Sequence, residues 1–332
     1  MLQRPYLLFL GDARDQLAAK TAIGLFAWRR DWCLGQLRLP GCSAMLDLPE
    51  MTVADGVAAG ARTLVIGVAN AGGVIPPAWI DTLEAALLSG LDVVSGLHDR
   101  LDAIARLRDA ALAAGRSLVE VRVPARSFPV GTGLPRSGRR LLTVGTDCSV
   151  GKMYTALAIE REMRVRGMEA DFRATGQTGI LIAGDGVSVD AVVADFIAGA
   201  TEWLTPAQQP EHWDLIEGQG SLFHPSYAGV SLGLLHGAQA EALVICHEPT
   251  RTHMRGLPHQ PLPDLVSCII ANEQAARLTC PSARCVGVAV NSSGLAVEAR
   301  SAYLRQLREA TGLPCVDPLL DGVGAIVDRM LS

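Results

Sequence analysis

Apolar residues recur along the chain in two alternating rhythms. Short runs rich in Val, Ile and Leu occupy residues 6–10, 63–69 (TLVIGVA), 91–95 (LDVVS) and 118–121. Each is the length of a strand. Between them, residues 78–88 and 101–114 place apolar positions at helical spacing. Strand and helix taking turns at this cadence predict a parallel α/β sheet. Residues 124–140 (PARSFPVGTGLPRSGRR) break the rhythm with Pro, Gly, Ser and Arg and read as a linker. A second series follows: strands at 141–144, 170–173, 213–216, 243–246, 285–290 and 315–316. Helical patterns lie at 152–166, 189–200, 230–236, 264–278 and 297–311, with one more at the C-terminal end. The predicted organisation is a Rossmann-like domain at 1–123, the linker at 124–140, and a P-loop NTPase-like α/β domain at 141–332.

Composition narrows the partners. A chain of 332 residues has the length of two ordinary domains. Its hydrophobic content of 49% and mean hydropathy of +0.26 describe folded rather than disordered protein. A net charge of -5 with no basic block gives no electrostatic footprint for nucleic acid. No run approaches the roughly 18 apolar residues of a membrane span. The apolar patch at the start runs directly into Gly11-Asp12, as a first strand does and a secretion signal does not. A cytoplasmic protein is expected. The eight cysteines show no C-x-x-C pair, which predicts reduced thiols and no metal centre. Lys20 and Lys152 are the only two lysines, so each calls for a chemical reason.

Lys152 has one. Gly145-Thr146-Asp147-Cys148-Ser149-Val150-Gly151-Lys152 fits G-x-x-x-x-G-K between the apolar run LLTV and a helical pattern. Glycines let the backbone wrap an anion, successive N–H groups face inward, and the helix adds its positive end. Lys152 supplies a mobile cation. The bland alternative is a glycine-bearing turn, and the strand–loop–helix context argues against it. Met153 stands where Ser or Thr normally holds Mg²⁺, and a thioether is a poor ligand for a hard cation. The cradle therefore suits a diphosphate held without that metal, such as that of coenzyme A, although Asp147 or Asp185 could stand in as a metal ligand.

Four further segments carry candidate chemistry. Arg173-Ala-Thr-Gly-Gln177-Thr-Gly follows a strand and reads as a loop on the ligand side of the sheet, with Arg173 and Gln177 as substrate contacts. In Asp214-Leu-Ile-Glu-Gly-Gln-Gly-Ser-Leu-Phe-His, a strand delivers Glu217 to its end, with Ser221 and His224 close behind. Glu217 could act as a base, hold a metal or anchor an ammonium, and His224 is as readily a loop histidine bonded to backbone. In His247-Glu-Pro-Thr-Arg251-Thr-His253-Met-Arg255, two arginines suit carboxylates, whereas His247 and His253 read better as ordinary loop residues. Asn291 ends another strand, where an adenine edge is a candidate partner. In the first half, Asn70–Gly73 and Ser95–His98 end strands in the same way.

GTDCSVGK, RATGQTG, GDGVSVDAVVADFIAG and IEGQGSLFHP, in that order, resemble the DgcN-type D-glutamate N-acetyltransferase family, long described as a domain of unknown function. The likeness spans both halves and is clearest from 141 to about 255. It implies a Rossmann-like N-terminal domain, a P-loop C-terminal domain, acetyl-CoA as donor and an N-acetyl-D-glutamate racemase as pathway partner. The cradle also looks like that of dethiobiotin synthetase, from whose pattern Met153 departs.

Three functions remain open on the sequence. The first is an N-acetyltransferase, with acetyl-CoA on residues 145–153 and Asn291, and an amino acid held by Arg173, Gln177, Ser221, Arg251 and Arg255. Its general base would be Glu217, His224 or Asp147, with backbone N–H groups of the GQGS loop as oxyanion donors. The second is an ATP- and Mg²⁺-dependent ligase or kinase of the dethiobiotin synthetase type. The third is a nucleotide sensor without catalysis. A homo-oligomer, commonly a homodimer, is expected on general grounds.

Overall fold

A computed structural model of the protein describes residues 2–124 and 126–332; Met1 and Ala125, which fall in the predicted first domain and linker, lie outside them. Contacts divide the chain into two compact units, Met1–Ala125 with Gln177–Ser188, and Arg126–Gly176 with Val189–Ser332.

In the first unit, β1 (Tyr6–Gly11), α1 (Lys20–Trp28), β2 (Cys33–Arg38), α2 (Val53–Ala58) and β3 (Thr63–Ile66) come first. Then follow α3 (Ile80–Leu88), β4 (Asp92–Ser95), α4 (Ala105–Ala114) and β5 (Leu118–Glu120). The five strands pair in parallel in the order β2-β1-β3-β4-β5. Every residue of β1, β3 and β4 is buried, as expected for central strands covered on both faces. The order reverses between β1 and β3, the topological switch point of a doubly wound sheet.

The second unit opens with β6 (Arg139–Gly145), α5 (Lys152–Val165) and β7 (Ala170–Arg173). The chain then forms α6 (Gln177–Ala183), which packs on α1 in the first unit, where Thr178 Oγ1 donates to Thr21 Oγ1 and Arg29 Nε to the Ile182 carbonyl. Back in the second unit come α7 (Ile197–Leu204), β8 (Trp213–Ile216), α8 (Ala228–Ala238) and β9 (Ala242–His247). The short antiparallel pair β10 (His253–Met254) and β11 (Leu257–Pro261) is next. The unit ends with α9 (Leu265–Arg277), β12 (Arg284–Val290), α10 (Val297–Thr311), β13 (Cys315–Val316) and α11 (Gly324–Leu331).

Its six-stranded parallel sheet has the order β13-β12-β9-β6-β8-β7. β6 therefore sits between β9 and β8, and the loop that leaves it is flanked by the ends of both neighbours. Gly218, just past β8, allows this close approach. A Cβ there would come within 1.6 Å of the Thr143 carbonyl oxygen on β6.

Local readings differ from this structure at several points. Residues 177–183, read as loop, form a helix whose Gly179-Ile180-Leu181-Ile182 core is buried. The helix predicted at 189–200 is two 3₁₀ turns, with α7 beginning only at Ile197. The β10–β11 pair follows where only loop was read. Residues 126–138 belong to the second unit: Phe128 packs on Trp203, the Thr132 amide reaches Glu202, and Arg136 donates to the carbonyls of Thr205 and Gly237.

Candidate active site

The cradle between β6 and α5 has the backbone its glycines foretell, with one addition. Gly151 has φ +102°, and Ser149, which carries a side chain, has φ +55°. This left-handed bend is costly for serine. Val150 is buried against Gly145 and pins the turn from below. Among the described residues, no protein acceptor takes the N–H of Ser149, Val150, Gly151 or Lys152. Four successive unbonded donors at the N-terminus of a 14-residue helix form an anion cradle. Lys152 is buried, its Nζ donates to the Asp147 carbonyl at 2.7 Å, and burial lowers its pKa. The carbonyl gives the buried ammonium a hydrogen-bond partner but no countercharge.

Glu217, one residue beyond β8, is 5% exposed. Its Oε2 accepts the N–H groups of Thr175 and Gly176 at 3.0 and 3.1 Å. Burial nonetheless dominates these bonds and the pull of Lys152, and lifts the carboxyl to about 7. A carboxyl titrating near neutrality has the strength a general base needs.

Asp147 is fully buried, and both of its oxygens are occupied. Oδ1 accepts the Cys148 N–H at 2.6 Å; Oδ2 accepts Arg251 Nη1 at 2.7 Å and the Arg255 N–H at 2.8 Å. His224, 2% exposed, is equally committed. Its Nδ1 accepts the Ser226 N–H at 3.2 Å, so Nε2 carries the proton and donates to the Arg255 carbonyl at 3.3 Å. Ligand atoms of Asp147, Cys148 and His224 lie within 4.8 Å of one another, a spacing that would suit a metal ion. The lone pairs of Asp147 and His224 face N–H donors of the protein instead, so the donor set does not fit one.

The remaining predicted residues divide. Ser221 is buried, and its hydroxyl donates to the Thr146 carbonyl, bracing the cradle. Arg251 lies on the cradle, bonded to Asp147, the carbonyls of Cys148 and Ser149, and Glu248. Arg255 reaches the Ser149 hydroxyl. Met153 takes the first turn of α5, and Thr155 further along is bonded to the Gly151 carbonyl and to Cys246. Asn291 turns back on its own loop to accept from Ser293. Arg173 is not brought to the site. Its Nε donates at 2.6 Å to the buried carboxylate of Asp214, two register positions toward the start of the neighbouring strand β8 and away from the strand end that carries Glu217. Gln177 opens α6 in the first unit and packs on Gly96 there.

Two sets of contributors escaped the sequence reading. Thr175 and Gly176 supply the amides on Glu217; they lie inside the RATGQTG segment, but backbone donors leave no side-chain signal. His247, read as an ordinary loop residue, joins Thr146 Oγ1 at 3.2 Å to the Tyr303 hydroxyl at 2.9 Å. Burial, with Arg251 nearby, depresses it to about 4, so it is neutral at physiological pH. Among the described residues, no helix is long and apolar enough to cross a membrane.

Known proteins resemble this chain over its whole length. A protein of Tritonibacter scottomollicae named D-glutamate N-acetyltransferase is 54% identical over 332 residues, the full length of both chains. One of the same name from a Pseudoalteromonas species is 48% identical over 329 residues, 99% of each chain. The crystal structure of a DUF1611 family protein from Anabaena variabilis matches with a TM-score of 0.87 at 32% identity, covering 99% of both chains. Residues 38–124 match the Rossmann-like domain of unknown function DUF1611_N, and residues 129–327 match the P-loop domain of unknown function DUF1611_C. The chain thus belongs to the DUF1611 family, with a Rossmann-like domain followed by a P-loop domain.

Proposed function

We propose that this protein is an N-acetyltransferase that moves the acetyl group of acetyl-CoA to the amino group of D-glutamate. Two full-length relatives carrying that name, at 54% and 48% identity, are the observation that bears most weight. The geometry supports it: an anion cradle without the usual metal-binding hydroxyl stands beside a buried carboxyl that titrates near 7.

In this reading the diphosphate of acetyl-CoA lies on the N–H groups of residues 149–152 and on Lys152. Glu217 would face the thioester end of the bound donor. Glu217 takes one proton from the substrate ammonium, which frees the nitrogen lone pair. Nitrogen attacks the thioester carbon, and backbone amides of Gln219–Ser221 face the resulting oxyanion, the Gly218 N–H being held by Thr143 Oγ1. Collapse breaks the C–S bond, and a second nitrogen proton passes to the departing thiolate. The products are the amide, the coenzyme A thiol and the proton on Glu217, which is lost to solvent.

A small-molecule substrate, a cytoplasmic setting, a homodimer and a downstream N-acetyl-D-glutamate racemase complete the proposal. Nothing in the site favours the ATP-dependent ligase reading. The test is thiol release from acetyl-CoA with D-glutamate, L-glutamate and D-aspartate in turn. Stoichiometric release with D-glutamate is expected. Folded protein that releases no thiol with any of them would refute the proposal.

A further inference from the structure

Arg255 stands out because both of its backbone polar groups are held by buried side chains. Asp147 Oδ2 takes its N–H at 2.8 Å, and His224 Nε2 donates to its carbonyl at 3.3 Å. On one side of it Met254 is 2% exposed; on the other Gly256, at φ +78°, turns the chain into β11. The backbone at 255 is thus fixed by two hydrogen bonds and by the neighbour on either side, while its guanidinium stays at the surface. That guanidinium reaches Ser149 Oγ, the side chain standing in the left-handed bend of the cradle.

The two arginines of this segment differ in charge balance. Arg251 is compensated by Asp147 and Glu248. Among the described residues, no carboxylate lies within ion-pair distance of Arg255, whose partner is a neutral hydroxyl. A guanidinium without a carboxylate partner, bonded to the hydroxyl of a residue whose N–H is itself unbonded, adds a cation to the donor set of an anion site.

We infer that Arg255 is a phosphate-binding residue of the cradle, and that Asp147 and His224 are positioning residues that present it through its backbone. The inference rests on the proposed diphosphate site. It gives Asp147 and His224 a shared role other than proton transfer, and it accounts for their proximity. It also assigns Arg255 to the donor rather than to the carboxylates of the acceptor.

The test is calorimetric binding of coenzyme A and of ADP in the presence of EDTA, with steady-state kinetics alongside. Arg255→Ala should weaken both ligands by about 10- to 100-fold, the range of a hydrogen bond between charged groups. His224→Ala and Asp147→Asn should weaken them several-fold and raise KM for acetyl-CoA while kcat at saturation is retained. Combined with Arg255→Ala, His224→Ala should add less than about twofold, because it acts through the same guanidinium, whereas Asp147 also holds Arg251. His224→Gln keeps an N–H donor for the Arg255 carbonyl and should bind like wild type, so the His224 arm decides the matter even if Asp147→Asn does not fold. Additive losses in that double variant, or a collapse of kcat with unchanged affinity, would overturn the inference. So would wild-type affinity in Arg255→Ala. Folded wild-type protein that binds neither ligand would overturn the diphosphate site itself, and this inference with it.

Discussion

Replacing Glu217 by glutamine separates its proposed part in catalysis from what it costs the fold. In the unfolded chain the carboxyl titrates at its ordinary 4.5; in the folded protein it titrates at about 7. Between those values the native state holds a proton that the unfolded state has released. The folded state therefore loses stability as pH rises from about 4.5 through about 7, and the whole loss is present above that. At about 1.4 kcal/mol per pH unit, the gap amounts to about 3 kcal/mol at pH 8. Glutamine cannot ionise, yet its side-chain oxygen can still accept from Thr175 and Gly176. Glu217→Gln should consequently melt higher than wild type at pH 8, by roughly 6–12 °C for a unit of this size, and near wild type at pH 5. Activity should move the other way. Loss of a general base costs about 10²–10⁴ in turnover, and the rise of kcat/KM through pH 7 should vanish. Differential scanning fluorimetry and thiol-release rates from pH 5 to 9 provide both readouts. A variant that keeps wild-type turnover, or whose melting difference is the same at every pH, would refute the assignment of Glu217 as a buried base.

Other expectations follow from neighbouring groups. Lys152→Ala should weaken coenzyme A binding by about two orders of magnitude in calorimetry; unchanged affinity would place the diphosphate elsewhere. EDTA should leave acetyl-CoA kinetics unaltered, since Met153 offers no hard ligand and the Thr155 hydroxyl is engaged, whereas inhibition reversed by Mg²⁺ would revive the ligase reading. Gly218→Ala should destabilise the second unit by more than about 3 kcal/mol in denaturant titration, because its Cβ would meet the Thr143 carbonyl at 1.6 Å. His247 is held neutral down to about pH 4 against an ordinary 6.5, so folding stability falls as pH drops from 6.5 toward 4. His247→Gln should flatten that part of the melting curve.

The α/β architecture was legible because fully buried parallel strands leave uninterrupted apolar runs, as at 63–66 and 285–290. Strands and helices of mixed composition were not, and β2, with its buried Gln36, and α1, with glycine and aromatic residues, passed unread. The strand–loop–helix turn at 145–152 was legible, since its glycines are required by backbone geometry. Glu217 was visible as an acid at a strand end. Its environment was not, because the groups that define it are backbone amides from another strand's loop. The roles of Asp147, His224 and Arg173 were least readable: residue type suggests chemistry, but only the fold shows whether a lone pair or a guanidinium is already engaged. Arg173 is the one charged residue of the RATGQTG segment, yet it neutralises Asp214 on the neighbouring strand.

Helix α6 has a bearing on how the molecule comes into being. Its bonds to α1 bridge more than 150 residues of sequence. During synthesis the first sheet can assemble once β5 has emerged, but α1 then waits, its α6 partner unmade, until the cradle and β7 have been translated. Cutting the gene between the two recognisable domains would leave each fragment incomplete, the first stripped of a helix and the second carrying a surplus one. The two modules are therefore better shuffled, expressed or engineered together than apart.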